Sequence, residues 1–110
     1  MFTTPQQVFD AMPAAFRPQK AGATELALQF NVSGDEGGEW TVEIGDGVCK
    51  TSPGQADDPI AIIDMSGRDF LAVFGGKLNA VAAYMSGRIK VSGDVMSIMH
   101  LLSFFEMPQE

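Results

Sequence analysis

Cysteine, histidine and basic side chains are scarce in this sequence. Cys49 is the only cysteine, which excludes an intramolecular disulfide, and His100 is the only histidine, so a zinc site would have to draw most of its ligands from carboxylates. No metal or other cofactor is expected. Seven Lys and Arg stand against fourteen Asp and Glu, and the net charge of -7 would repel phosphate backbones and anionic bilayers alike. Nucleic acid is therefore not expected as a partner. Long hydrophobic runs are also missing: Ala80–Met85 is far short of the roughly 18 residues that span a bilayer. The start Met1-Phe2-Thr3-Thr4-Pro5 has neither the basic flank nor the apolar stretch of a secretion signal, and with a lone thiol this points to a reducing, cytoplasmic address.

What is present is enough for a core. A chain of 11.8 kDa should bury about 11,000 Å² on folding, and 45% of its residues are apolar, so residues 1–110 are expected to form one domain. Thr4, Pro5 and Gln7 read as N-cap, first helical residue and reciprocal capping partner, and Val8, Phe9, Met12 and Phe16 follow at helical spacing. Pro13 predicts a kink or restart near Met12, with an exit at Arg17-Pro18. From Glu25 the period becomes two: Leu26, Leu28, Phe30 and Val32 form one face, then Trp40, Val42 and Ile44 after a glycine-rich turn. Asp46-Gly47 turns the chain into Val48 to Ser52. Such alternation predicts an antiparallel sheet that is wet on one face and covered by helices on the other. Residues 60–65 read as a more central strand. Ser66, Asn79 and Asp94 then read as caps of three helices, the last running to about Phe105, with a short strand at 89–91. The tetrapeptide Met-Ser-Gly-Arg occurs at 65–68 and again at 85–88 with unrelated flanks, which marks shared turn chemistry and no repeat.

Catalytic signals are thin. Cys49 sits mid-strand, where a partly buried, inert thiol is expected despite Lys50 beside it, and His100 lies on an apolar helix with no partner nucleophile indicated. Gly75-Gly76-Lys77-Leu78 fails as a phosphate loop, because Leu71 stands at its first glycine and Leu78 at its Ser or Thr. Asp46, Asp57 and Asp58 fall in turns, where carboxylates cap backbone groups. Enzymatic activity is not expected.

The apolar excess says more. On the last helix Val95, Ile98, Met99, Leu102 and Phe105 make one stripe, yet Met96, Leu101 and Phe104 fall outside it, so this helix needs cover on two sides. Met65, Met85, Met96 and Met99 share the C-terminal half with Phe70, Phe74 and Tyr84. Flexible thioethers among rings suit either gap-filling core packing or a cavity that adapts to apolar ligands. Charge is divided too: residues 65–93 hold Arg68, Lys77, Arg88 and Lys90 against Asp69 alone.

The order and spacing of these residues resemble the sterol carrier protein-2 family over nearly the whole chain. The resemblance is carried by Trp40-Thr41-Val42 before Asp46-Gly47, Ala56-Asp57 leading a strand into Ser66 and Asp69-Phe70, and Gly76-Lys77-Leu78. It continues through Ala82 and Met85, then Gly87-Arg88-Ile89-Lys90-Val91 and Gly93-Asp94. It implies an α+β fold: a five-stranded, mostly antiparallel sheet, helices covering one face, and an apolar tunnel between the layers. It also implies non-enzymatic binding, and intracellular transfer, of an apolar lipid such as a fatty acid, an acyl-CoA or a sterol-like molecule. The expected wall is Phe30, Phe70, Phe74, Val81, Met85, Met96, Met99 and Leu102. Transient membrane contact is an expected partner interaction. A second reading, from another class, is a homodimerising or enzyme-docking module that uses the helix face around Met96 and Phe104. The end Met107-Pro108-Gln109-Glu110 is no peroxisomal signal, so that address is not expected.

Overall fold

A computed structural model describes residues 2–105. Strands β1 (Leu26–Ser33), β2 (Gly38–Gly45) and β3 (Val48–Pro53) run antiparallel in succession. The β2–β3 turn takes positive φ at both Asp46 (52°) and Gly47 (74°), as a two-residue turn between twisted strands requires. Strand β4 (Ala61–Ser66) pairs in parallel with β1, and β5 (Lys90–Gly93) antiparallel with β4. The order β3-β2-β1-β4-β5 is thus mixed but mostly antiparallel. Alternation buries Leu28, Phe30 and Val32 with Trp40, Val42 and Ile44, and with Ala61, Ile63 and Met65, on one face.

The opposite face is not wet along its whole length. To pass from the β3 edge to the far side of β1, residues 54–60 must cross β2 and β1, and they do so over the polar face. Thr41 Oγ1 donates to the Gly54 carbonyl at 3.0 Å, the Ala56 N–H donates to Gln29 Oε1 at 3.2 Å, and the Ile60 N–H donates to the Ala27 carbonyl at 2.8 Å. Gln29 and Thr41 are buried beneath this crossover with their polar groups satisfied. Ile60, expected inside the strand, instead closes the crossover and is half exposed.

Helix α1 (Pro5–Ala15) begins at the predicted cap, with Thr4 accepting from the Gln7 N–H and Gln7 Oε1 accepting from the Thr3 and Thr4 N–H groups. It does not restart at Met12. Pro13 has no N–H for the Phe9 carbonyl one turn back, and Thr51 Oγ1 on β3 donates to that carbonyl at 3.0 Å instead. The restart comes later, as short helix α2 (Pro18–Ala21). Thr51→Val should therefore cost about 1–2 kcal/mol by leaving the carbonyl unpaired. With Pro13→Ala the residue-13 N–H can take over, and the same change should cost under about 0.5 kcal/mol. Urea unfolding of the four variants reads the difference, and equal costs in both backgrounds would show that Thr51 does not compensate for the proline.

Helices α3 (Gly67–Phe74), α4 (Ala80–Met85) and α5 (Val95–Leu102) start at Ser66, Asn79 and Asp94, whose side chains accept from the N–H groups of Asp69, Ala82 and Ser97. The two Met-Ser-Gly-Arg copies meet: Arg88 from the second holds Asp69, just past the first, at 3.1 Å. Helix α5 stops short of Phe105. After Ser103 the chain turns inward, the Arg17 N–H donates to the Phe104 carbonyl at 2.7 Å, and Phe16 bridges to Phe105. That early exit sets a buried line through Ile98, Leu101 and Phe104. Leu101, expected outside the stripe, is fully buried, and Val95, Met99 and Leu102 flank it half-buried. The C-terminal reading at 107–110 lies outside the described residues.

Candidate functional site

Helices α1 and α3 close most of the apolar face, α1 against β3 and α3, α3 against β4 and β1. Helices α4 and α5 make fewer close backbone approaches to the other elements, and they meet the core through Ala83 and through Ile98 and Leu101, all of them buried. At the centre the rings lock together: Phe70 lies 4.9 Å from Phe9, 5.8 Å from Phe30 and 4.8 Å from Phe74. Toward α4 and α5 burial is less complete at the margin. Val73, Leu78, Tyr84, Val91, Met99 and Leu102 touch the core yet are only partly buried, whereas Leu71, also partly buried, lines the hollow by Pro5 and Asp35. Side chains at such a margin are less tightly held than the close-packed rings at the centre.

The structure brings Phe30, Phe70 and Phe74 together as fully or nearly fully buried rings, and sets Met99 and Leu102 at the margin of the same layer. It does not bring in the rest of the expected wall. Val81, Met85 and Met96 are 54%, 79% and 66% exposed. On α4 the residue that turns inward is Ala83, between them in sequence and 1% exposed. Periodicity on a six-residue helix could not separate these faces, because Ala80, Val81, Ala82, Ala83, Tyr84 and Met85 are all apolar. Leu71, Val73, Leu78 and Val91 were not singled out as wall residues. For Leu71 and Val73 the available signal is an α3 that is apolar on more than its core face, and for Val91 it is the alternation of β5, where it pairs with the buried Ile63.

Concavities lined by described residues include the following. A notch of about 180 Å³ opens at the seam between sheet and α5, lined by Thr24, Leu26, Met96, Ser97, His100 and Phe104. It has an apolar floor, Leu26 and Phe104, and a polar lip. The larger groove, about 500 Å³, lies over the polar face by Asn31, Glu39 and Asp64, with Arg88 and Lys90 at its side. Its charged lining, in which Asn31 Nδ2 donates to Asp64 Oδ1 at 3.1 Å, is unsuited to a hydrocarbon chain despite its size. The third, about 340 Å³, lies by Pro5, Asp35 and Arg68.

Proton chemistry finds little to work with here. Burial pushes the Cys49 thiol up to about 11, so it stays protonated and inert at neutral pH. Asp94 is held below the usual carboxylate range by hydrogen bonds from Ser97, which is the chemistry of a helix cap. His100 is exposed on α5. What the arrangement offers a ligand is apolar burial with a few polar groups at one seam.

Comparison with known proteins gives the family and the fold. The profile of the SCP-2 sterol transfer family matches residues 8–106. Hydroxysteroid dehydrogenase-like protein 2 from Rattus norvegicus is 28% identical over 95 residues, covering 86% of this chain and 18% of that protein. The protein of the same name from Xenopus laevis is 31% identical over 93 residues, covering 82% and 22%. The chain spans about a fifth of the length of these curated relatives. Among solved structures, palmitated SCP2L2 from Aedes aegypti superposes with a TM-score of 0.76 at 19% identity, over 97% of this chain and all of that one. An inverting sec-alkylsulfatase from Pseudomonas sp. gives 0.86 at 17% identity, over 97% of this chain and 17% of that enzyme. The same α+β architecture thus recurs both alone and inside larger proteins, and the profile match over nearly the full length places this chain in the SCP-2 sterol transfer family.

Proposed function

We propose that this chain binds apolar lipid without catalysing a reaction, in the layer between the sheet and α3–α5, and carries it through the cytoplasm. The observation that carries the reading is the set of partly buried apolar side chains at the margin of the core, Leu78, Tyr84, Val91, Met99 and Leu102, contributed by α4, α5 and the segments beside them. An apolar ligand that covered this surface would gain about 25 cal/mol per Å² of it. Family membership supports the same reading, and so does the structural relative described as palmitated. Ligands with one long apolar body and a polar end fit best, because the seam by Thr24, Ser97 and His100 gives the polar end an exit to water. Fatty acids, acyl-CoA esters and sterol-like molecules all have that form.

Mass spectrometry of an organic extract of the purified protein identifies what it carries. Delipidated protein given fatty acid at a hundredfold excess over its Kd should gain about 2.7 kcal/mol, which moves the melting midpoint up by on the order of 10 °C for a chain of this size. A midpoint that ignores fatty acid, acyl-CoA and sterol alike, with an extract free of lipid, would overturn the reading. A tight dimer under those conditions would favour the interaction module instead.

A further inference from the structure

We propose that the open half of the sheet's polar face binds a zwitterion of dipeptide length, its ammonium between Glu39 and Asp64 and its carboxylate at Lys90, Arg88 and Ser66. The crossover at 54–60 covers the part of this face over Gln29 and Thr41. Beyond it lies the groove of about 500 Å³, a size usual for small-molecule sites. Strand register builds its floor: Glu39 pairs with Asn31, Asn31 with Asp64 and Asp64 with Lys90, so one row of four side chains crosses β2, β1, β4 and β5. Ser66, two residues after Asp64, and Arg88, two residues before Lys90, line the same groove beside that row. The groove lies across the sheet from the layer proposed for lipid, so the inference does not rest on the carrier reading.

Opposite charges facing each other across an antiparallel pair ordinarily meet, and Asp64 and Lys90 do not. Asp64 Oδ1 accepts from Asn31 Nδ2 at 3.1 Å, and the Lys90 ammonium has no partner among the described residues. Glu39 is fixed from the crossover side. Gln55 Nε2 and Gln29 Nε2 donate to its Oε2 at 2.9 and 3.3 Å, and Gln29 Nε2 also donates to Asn31 Oδ1 at 2.9 Å. Each carboxylate is thus oriented through one oxygen and keeps the other for a ligand's N–H groups. On the cationic side, Ser66 Oγ accepts from the Asp69 N–H, which leaves its own hydrogen to donate, and Arg88 remains 52% exposed although it reaches Asp69 at 3.1 Å. Charges already held apart need no reorganisation when a ligand arrives. Sheet geometry sets the length: from above Asn31 to above Ser66 and Lys90 is one strand spacing across and one or two residues along, about 6–8 Å. Two extended residues reach about 7 Å, and a single amino acid falls short. The net charge of -7 disfavours an anion here, whereas a zwitterion brings no net charge.

The test is a titration of the whole isotope-labelled chain at low ionic strength, followed by backbone amide shifts, with dialanine, alanine, N-acetyldialanine and dialanine amide as probes. Dialanine should move the amides of residues 31–33, 64–66 and 88–90 and saturate with a Kd of about 1 mM or tighter. Alanine, which is too short, and the two blocked forms, which lack one charge each, should bind at least about tenfold more weakly. Asp64→Asn and Lys90→Gln should each weaken dialanine binding about tenfold, with urea midpoints confirming that the variants fold. Arg68→Gln, which alters the hollow by Pro5 and not this groove, should leave the affinity within about twofold. Shifts that do not saturate, or that sodium chloride alone reproduces, overturn the site. Alanine or a blocked form binding as tightly as dialanine overturns the zwitterion of that length. An Asp64 or Lys90 variant that binds like wild type, or an Arg68 variant that loses as much as they do, overturns the assignment to this groove.

Discussion

Replacing Phe70 by alanine is expected to destabilise the empty protein by about 3–5 kcal/mol, and to let lipid restore part of the loss. Phe70 is fully buried, and its ring meets those of Phe9, Phe30 and Phe74. Its neighbours cannot collapse freely into the void. Phe9 is stacked on Trp40 at 4.7 Å, and the Trp40 indole N–H is itself tied to Gln6 Oε1 at 3.0 Å. A typical domain has only about 5–15 kcal/mol in total, so the variant should unfold at visibly lower denaturant. The void also adjoins the layer proposed for lipid, and an acyl chain can refill it. Fatty acid should therefore stabilise Phe70→Ala by about 1–2 kcal/mol more than wild type. Scanning calorimetry with and without fatty acid measures both quantities. An identical lipid shift in the two proteins would show that Phe70 is sealed from the ligand and belongs to the core alone.

Much of the fold was legible in the sequence because it is set by local chemistry. Caps at Thr4, Ser66, Asn79 and Asp94 are decided by one side-chain oxygen and the N–H it accepts, and all four form as read. The β-strand faces follow from alternation, which is why Leu28, Phe30 and Val32 were assigned to the core side. Errors came where a distant partner decides. Pro13 reads as a break unless Thr51, far along the chain, is known to sit over the Phe9 carbonyl. Gln29 and Thr41 read as solvent-facing unless the crossover is known to pass over them. In each case a long-range hydrogen bond satisfies a group that local reasoning left to water or left without a donor.

The candidate site was legible to a smaller degree, for a related reason. Phe30, Phe70 and Phe74 lie on elements with a clear period, and the structure gathers them. Helices α4 and α5 have no clear polar face to orient them. On α5 the orientation is set by the aromatic closure of Phe104 and Phe105 onto Phe16, with ring centroids 6.5 and 5.6 Å away, which turns Leu101 inward and leaves Met96 at the surface. On α4 the small Ala83 faces in, and the larger Val81 and Met85 face out. Ranking by size or hydrophobicity inverts that arrangement. A small residue at that position takes up the least volume beneath α4, which a large one would fill permanently.

That argument makes Ala83 the most informative position on the layer. Ala83→Leu adds three carbons under α4, pointing into the space proposed for lipid. In a close-packed core such an insertion typically costs 1–3 kcal/mol, because side chains are forced off their rotamers. Here α4 is held lightly and can yield outward, so the empty variant should lose less than about 1 kcal/mol. Its affinity for fatty acid should fall at least about tenfold, equivalent to 1.4 kcal/mol, because the leucine competes for the volume that the acyl chain needs. Urea unfolding without lipid and titration with a fluorescent fatty acid, made on the same preparation, give the two numbers. A midpoint lowered by more than a kilocalorie equivalent, with affinity intact, would mean that the space beneath α4 is ordinary core and that lipid, if bound, enters elsewhere. Loss of affinity with a nearly unchanged midpoint has one physical account: the volume under α4 is available in the native protein, and the ligand uses it.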